Sequence, residues 1–343
     1  MGKTKIAVVL FNLGGPDGPR DVEPFLFNLF NDKAIIQLPF WLRTPLAKLI
    51  SRTRAPSARE NYAKMGGGSP LLAETKRQAK ALEAYLVRED REVRAFIAMR
   101  YWRPFVKDAV EAVEAWEPDE VVLLPLYPQY STTTTGSSLG EWRKFAPDRP
   151  VKTVCCYPSD GHFAAAHAAV IHRAWTEAGS PENIRVLYSA HGLPQKIVDQ
   201  GDPYQWQVEQ TVEAVSKNLP ELRDSQICYQ SRAGPLKWIA PSTEEAIEAA
   251  ASDRKDILLV PIAFVSEHIE TLVELDEEYR ELAEELGVKR FLRAPALGVE
   301  YDLVKALAQA VESALVQNVS VCSSLGRRLC PIEAKQCPAG RLA

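Results

Sequence analysis

The run Phe264-Val265-Ser266-Glu267-His268-Ile269-Glu270-Thr271-Leu272-Val273-Glu274-Leu275-Asp276 carries the densest chemistry in the chain. The carboxylates at 267, 270, 274, 277 and 281 step by three and four residues. On an α-helix that spacing puts them on one face, where like charges repel. A solvated acidic face, helped by acids near a helix N-terminus, explains Glu277 and Glu281 as well as function does. Glu267, Glu270 and Glu274 surround His268, and carboxylates with an imidazole suit a divalent ion that passes through rather than stays. A second centre is Ser189-Ala190-His191-Gly192-Leu193-Pro194. There a histidine ends a buried strand, and an imidazole with an unperturbed pKa of about 6.5 can accept a proton at neutral pH. A satisfied structural histidine is the plainer alternative.

Other segments are less specific. Gly66-Gly67-Gly68-Ser69-Pro70 lacks the Lys-Ser/Thr of a phosphate loop and follows no strand, so a close backbone approach or a hinge fits better than nucleotide binding. The hydroxyl-rich loop Tyr130 to Ser138 could hydrogen-bond an anion or cap the next helix. Pro39-Phe40-Trp41-Leu42 with Leu46, Leu49 and Ile50 forms an apolar patch interleaved with Arg43, Lys48 and Arg52. On a small helix it reads as core, as a membrane-interface contact or as the wall of a site for a large flat ligand. Cys322-x7-Cys330-x6-Cys337 lies in a tail without core character. Zinc ribbons use shorter pairs, iron–sulfur clusters take thiolates at looser spacings and usually four in number, and three inert thiols are the plain alternative; a fourth thiolate would come from Cys155, Cys156 or Cys228.

The elements that must position these residues alternate. Strand patterns at Lys5–Leu13, Val93–Met99, Val121–Leu126, Ile184–Ser189, Ser225–Tyr229 and Asp256–Val265 are separated by helical patterns of 10–20 residues. That rhythm predicts an α/β protein with two doubly wound, Rossmann-like domains, each a parallel sheet flanked by helices, with a cleft between them. Residues 1–150 form the first domain, 151–318 the second and 319–343 a cysteine-containing extension. The candidate residues sit past the carboxyl ends of strands, where such folds bind ligands. With 343 residues, 46% apolar and 25% charged, the composition is globular. A net charge of −4 without a basic run argues against nucleic acid. No stretch approaches the ~20 apolar residues of a membrane span, and the start runs directly into a strand, so an intracellular protein is expected.

Taken together the motifs resemble ferrochelatase, and the resemblance covers almost the whole chain. It is carried by Leu10 to Pro16, Tyr62 with Gly66 to Pro70, Arg100-Tyr101, Tyr127 to Ser131 with Thr134 to Ser138, Ser189-Ala190-His191, Gly201 to Tyr204, Gln230-Ser231 with Gly234-Pro235, Trp238, and Leu258 to Asp276. The resemblance implies insertion of Fe²⁺ into protoporphyrin IX to give protohaem, the terminal step of haem biosynthesis. By motif, His191 is the acceptor of pyrrole protons and Glu270 its carboxylate partner. Glu267, His268, Glu274 and Asp276 join them in handling substrate iron. Leu13, Tyr62, Ser69, Arg100, Tyr101, Trp238 and Phe264 match porphyrin-binding positions. Leu13 stands where the family often has Met, and Glu267 where it often has Asp. The active-site lip falls at about 39–70, and its apolar part, 39–50, implies association with a membrane surface. The cytoplasm, at the periphery of the inner membrane, is the implied location.

The tail resembles the extension that holds a [2Fe–2S] cluster in some members, which also implies a homodimer. Members with a cysteine after the Tyr-Ser of the hydroxyl-rich loop use it as a ligand, but Thr132 stands there. The expected ligands are therefore Cys322, Cys330, Cys337 and one of Cys155 or Cys156. A cobalt or coproporphyrin chelatase is the nearest rival, and its more acidic macrocycle would call for more Lys and Arg. A non-catalytic porphyrin or haem carrier would leave the acidic line at 267–276 without purpose.

Overall fold

The computed structural model describes residues 3–232, 234 and 236–340. Pro235, part of one matched motif, lies outside them. The strands are β1 (Thr4–Asn12), β2 (Arg91–Met99), β3 (Glu120–Pro125), β4 (Lys152–Val154), β5 (Ile184–His191), β6 (Ser225–Gln230), β7 (Asp256–Pro261), β8 (Phe291–Arg293) and β9 (Val321–Cys322). The helices are α1 (Val22–Phe30), α2 (Phe40–Lys64), α3 (Leu71–Leu86), α4 (Val106–Trp116), α5 (Thr135–Phe145), α6 (Gly161–Glu177), α7 (Gln195–Asp199), α8 (Tyr204–Ser216), α9 (Thr243–Ser252), α10 (Tyr279–Glu285) and α11 (Tyr301–Val316). A π-helix, Glu270–Glu278, precedes α10.

One sheet has the order β2-β1-β3-β4-β9 and the other β6-β5-β7-β8, with every pairing parallel. The first four strands of each half share one order: second, first, third, fourth. The α/β reading holds, and the similar rhythm of the halves is a repeat of topology. β1 and β5 are buried along nearly their whole length because helices cover both sheet faces. An apolar cluster joins Ile6, Val8 and Leu10 of β1 to Val186, Tyr188, Leu258 and Val260 of β5 and β7, with α6 and α11 packed between.

Buried glutamines stitch the halves beside the cleft. Gln78 of α3 donates to the carbonyls of Val265 (2.9 Å) and Gly298 (2.8 Å) and accepts from Ser266 Oγ (3.1 Å). Gln129, after β3, donates to Thr211 Oγ1 of α8 at 2.9 Å. Gln207 of α8 accepts from the Tyr130 amide at 2.7 Å. Neutral amides span this seam without the desolvation cost of buried charge.

Two elements differ from expectation. The lip helix is no small helix: α2 runs 25 residues through Pro45 and Pro56. Each interior proline costs about 3 kcal/mol. The buried stripe Ala47, Ser51, Ala55 and Tyr62, packed against α1, offsets it. The tail does have core character. β9 pairs with β4 at the edge of the first sheet, and Cys322, Cys330 and Cys337 are all buried.

Candidate active site

The two topological switch points, β1/β3 and β5/β7, face each other across a cavity of 810 Å³. Its size is near the upper end for pockets that enclose a small ligand. Leu13, Tyr101, His191, Trp238, Phe264, His268 and Glu270 all line it. An adjoining chamber of 370 Å³ shares Leu13, His268 and Glu270 and adds Tyr62 and Ser69. Ser69 reaches it because the glycine loop lies hard against the first strand's turn. A Cβ on Gly68 would fall 2.6 Å from the Asp17 carbonyl oxygen, and the Ser69 amide donates to Pro16 O at 2.8 Å. The loop is thus a close backbone approach.

His191 is the last residue of β5, which aims its side chain into the cleft. Its Nδ1 lies 2.7 Å from the Gly192 carbonyl oxygen. A carbonyl can only accept, so Nδ1 carries the proton and Nε2 presents a lone pair. Glu270 Oε2 stands 3.8 Å from Nε2 and, among the described residues, receives no hydrogen bond. This arrangement can take a proton at Nε2 and stabilise the resulting imidazolium with a carboxylate. Tyr62 is buried beside Glu270. Burial first, and then the Glu270 charge, push its phenol above the ordinary range.

Glu274 lies one π-turn behind. It accepts from the Ser231 amide (2.8 Å), Ser231 Oγ (2.5 Å) and Tyr279 OH (3.0 Å). Burial and then the Glu270 charge raise its pKa. Ser231 holds a left-handed backbone, φ +59°, strain of order 1–3 kcal/mol that the charge-assisted bonds to Glu274 offset. His268 is buried edge-on to Phe264, centroids 4.5 Å apart, and burial lowers its pKa. The Thr271 amide donates to its Nδ1 at 3.3 Å.

The structure does not bring the whole acidic line together. Glu267 accepts from Arg293 Nη1 (2.9 Å), the Ala296 amide (2.9 Å) and Thr271 Oγ1 (2.5 Å). Asp276 pairs with Arg280 at 2.7 Å and Arg293 at 3.3 Å. Neither lines the cavities, and among the described residues no group of three or more His, Cys, Asp or Glu is arranged to hold a metal ion. Arg100 stands behind the lining. It donates to Ser137 Oγ (2.7 Å) and Asp32 (2.8 Å), whose carboxylate also accepts from Tyr101 OH (2.8 Å). The hydroxyl-rich loop does bind an anion, an internal one: Asp202 accepts from Ser131 Oγ and from the Thr132 amide and hydroxyl. Sequence reasoning missed Arg54, the one Lys or Arg lining either cavity among the described residues. Continuing the helix of the 39–50 patch along its 47/51/55 stripe would have revealed it.

Five of the cysteines gather outside the cavity linings, around Tyr130 and Gln207. Cys155 and Cys156 have their sulfurs 3.3 Å apart, and Gln207 Nε2 donates to Cys156 Sγ (3.4 Å) and Cys330 Sγ (3.1 Å). Cys330 is hydrogen-bonded to Cys337, which raises its pKa ahead of burial. Cys322 lies toward Cys155, and burial pushes its thiol up to about 11. No disulfide joins any of the six.

The ferrochelatase family model matches residues 5–315. The ferrochelatase of Phenylobacterium zucineum is 57% identical over 336 residues, covering 97% of both chains. That of Hyphomonas neptunium is 53% identical over 346 residues, covering 100% of this chain and 96% of its own. Among solved structures, SirB from Bacillus subtilis with Fe3+ superposes with a TM-score of 0.54 at 12% identity, covering 91% of this chain and 96% of that one. At that identity the likeness speaks for the fold alone.

Proposed function

The chain belongs to the ferrochelatase family and inserts Fe²⁺ into a porphyrin for haem synthesis; we propose that the porphyrin is protoporphyrin IX and that His191 accepts its pyrrole protons. The observation that carries the proposal is the lone pair of His191 Nε2, turned into an apolar cavity with Glu270 at 3.8 Å. Insertion removes two N–H protons and exchanges water on iron for four nitrogens. A base with a carboxylate behind it lowers the cost of the first, and apolar walls can hold the macrocycle part-way to its reactive shape. Glu270 is the group best placed to meet iron beside His191. Glu267 and Asp276, tied to arginines, act from behind. Leu13, Tyr101, Trp238 and Phe264 supply the walls, with Tyr62 and Ser69 in the adjoining chamber.

Arg54, the single arginine of the lining among the described residues, supports a substrate with few carboxylates over coproporphyrin or a cobalamin precursor. A carrier would need no unpartnered carboxylate beside a base. The test is anaerobic turnover of protoporphyrin with Fe²⁺, followed by loss of porphyrin fluorescence. His191→Ala should bind porphyrin and fail to insert; near-normal turnover in that variant would sink the mechanism.

We propose further that the tail holds a [2Fe–2S] cluster. Such a cluster takes its thiolates in pairs on two irons, so two adjacent pairs fit it better than one compact group of three. Cys330 with Cys337, and Cys155 or Cys156 with Cys322, would supply them. The cluster would add reversible one-electron chemistry and tie the tail to the body. We place the protein in the cytoplasm, peripheral to the inner membrane, and as a homodimer by family resemblance. No helix among the described residues is long and apolar enough to cross a membrane. Phe40 and Trp41, 68% and 70% exposed at the lip, support surface contact.

A further inference from the structure

Eight residues lie between Glu267 and Asp276, and one guanidinium reaches both. Arg293 ends β8 and is 10% exposed. Its Nη1 donates to Glu267 at 2.9 Å, and its Nε stands 3.3 Å from Asp276, close enough for an ion pair but too poorly aligned for a hydrogen bond. Arg280 completes the network, binding Asp276 at 2.7 Å and the Phe291 carbonyl of the same strand at 2.9 Å. Two arginines therefore neutralise two carboxylates, and both anchor to β8. The chain enters π-winding between the two anchored carboxylates, at Glu270, and keeps it through Asp276 to Glu278, before α10 begins. π-windings are rare and concentrate at functional sites. The wider turn keeps Glu270 and Glu274 on the cleft side. It also turns Glu277 away, to pair with Lys64 at 2.5 Å.

We infer that Arg293 is a positioning residue: through Glu267 and Asp276 it fixes the rotation of the π-helix that aims Glu270 at His191. The inference rests on the His191–Glu270 reading above. Lysine is no substitute, since a point charge on a flexible stem cannot bridge two carboxylates with a rigid fork. Misplacing a reacting group by about 1 Å costs up to about 100-fold in rate.

The test compares Arg293→Lys, Arg293→Met and the charge-neutral double Glu267→Gln/Arg293→Met, which leaves the Asp276–Arg280 pair intact, with Glu270→Gln in the same anaerobic assay. Arg293→Lys should lose about tenfold in kcat and Arg293→Met about 100-fold, with porphyrin KM within about threefold. The double should regain any lost thermal stability while staying slow, because neutrality returns and the tether does not. Recovery of kcat in the double overturns the inference in favour of charge balance alone. So does a loss confined to KM, or normal turnover in Arg293→Lys. Should Arg293→Met fail to melt cooperatively, Arg293→Lys and the double decide. Full turnover in Glu270→Gln removes the parent reading and the inference with it. A slow Glu270→Gln beside a normal Arg293→Lys removes the inference only.

Discussion

Replacing Glu270 by glutamine keeps the side chain's volume and deletes its charge. The carboxylate oxygen lies 3.8 Å from His191 Nε2. Opposite unit charges at that distance attract by about 4 kcal/mol at the effective dielectric of a protein surface. The imidazole is 44% exposed, so solvent and salt screening leave about 1.5–3 kcal/mol. That attraction exists only once His191 has taken a proton. It therefore acts on the deprotonation step and not on porphyrin binding. Glu270→Gln should lower kcat roughly 10- to 100-fold and leave porphyrin KM within about threefold. The assay is initial-rate haem formation under anaerobic conditions, with porphyrin affinity measured separately by fluorescence quenching. A kcat within about threefold of wild type, or a loss expressed wholly in KM, would falsify the electrostatic role assigned to this pair.

His167 is fully buried with neither ring nitrogen hydrogen-bonded among the described residues, and burial lowers its pKa to about 3. An unfolded imidazole near 6.5 takes up a proton that the folded one refuses, so stability falls as pH drops through 6.5 toward 3. The wild type should lose about 2 kcal/mol between pH 7 and pH 5 from this group, and His167→Leu should not; equal acid losses in urea melts of the two would contradict it. Gln207 donates to the sulfurs of Cys156 and Cys330. In protein reconstituted with iron and sulfide, Gln207→Leu should lower the cluster's midpoint potential, since donors to sulfur favour the more negative reduced state. No visible cluster bands in the wild type, or an unmoved potential in the variant, goes against this. Trp41→Ser should weaken sedimentation with anionic vesicles about tenfold, the order expected for one buried ring, while turnover in detergent stays unchanged. Equal partitioning would remove the lip as the membrane contact.

The parallel α/β architecture was legible because buried parallel strands announce themselves. Lys5–Leu13 and Asp256–Val265 are apolar on both faces, and their turns carry Gly or Pro. The short strands escaped for the same reason in reverse. β4, β8 and β9 span three, three and two residues, too short for any periodicity to show. β9 matters most, since pairing with β4 turns a polar tail into a buried edge that brings Cys322 toward Cys155. Local pattern cannot report a partner more than 150 residues away. The small helix expected at the 39–50 patch is the start of the 25-residue α2, where tertiary packing of a small-residue stripe overrides the low propensity of two prolines. Arg54 lies beyond that patch and was not among the candidates, although it is the one Lys or Arg lining either cavity among the described residues.

At the site, residue types were read correctly as chemistry but not sorted by partner. The three-four spacing from 267 to 281 assumes about 3.6 residues per turn. The π-helix takes more, so the seven-residue step that would return Glu277 to the face of Glu270 falls short of two full turns. The alignment on one face was thus a property of the assumed helix. Nothing in the spacing distinguishes Glu267, which accepts from Arg293, from Glu270, whose Oε2 receives no donor among the described residues. The distinguishing residue is Arg293, seventeen positions beyond Asp276 and on another element. A carboxylate at an active site becomes available for chemistry when its neighbours' charges are already satisfied elsewhere. That makes the arginines behind the π-helix as much a part of the site's design as the histidine in front of it.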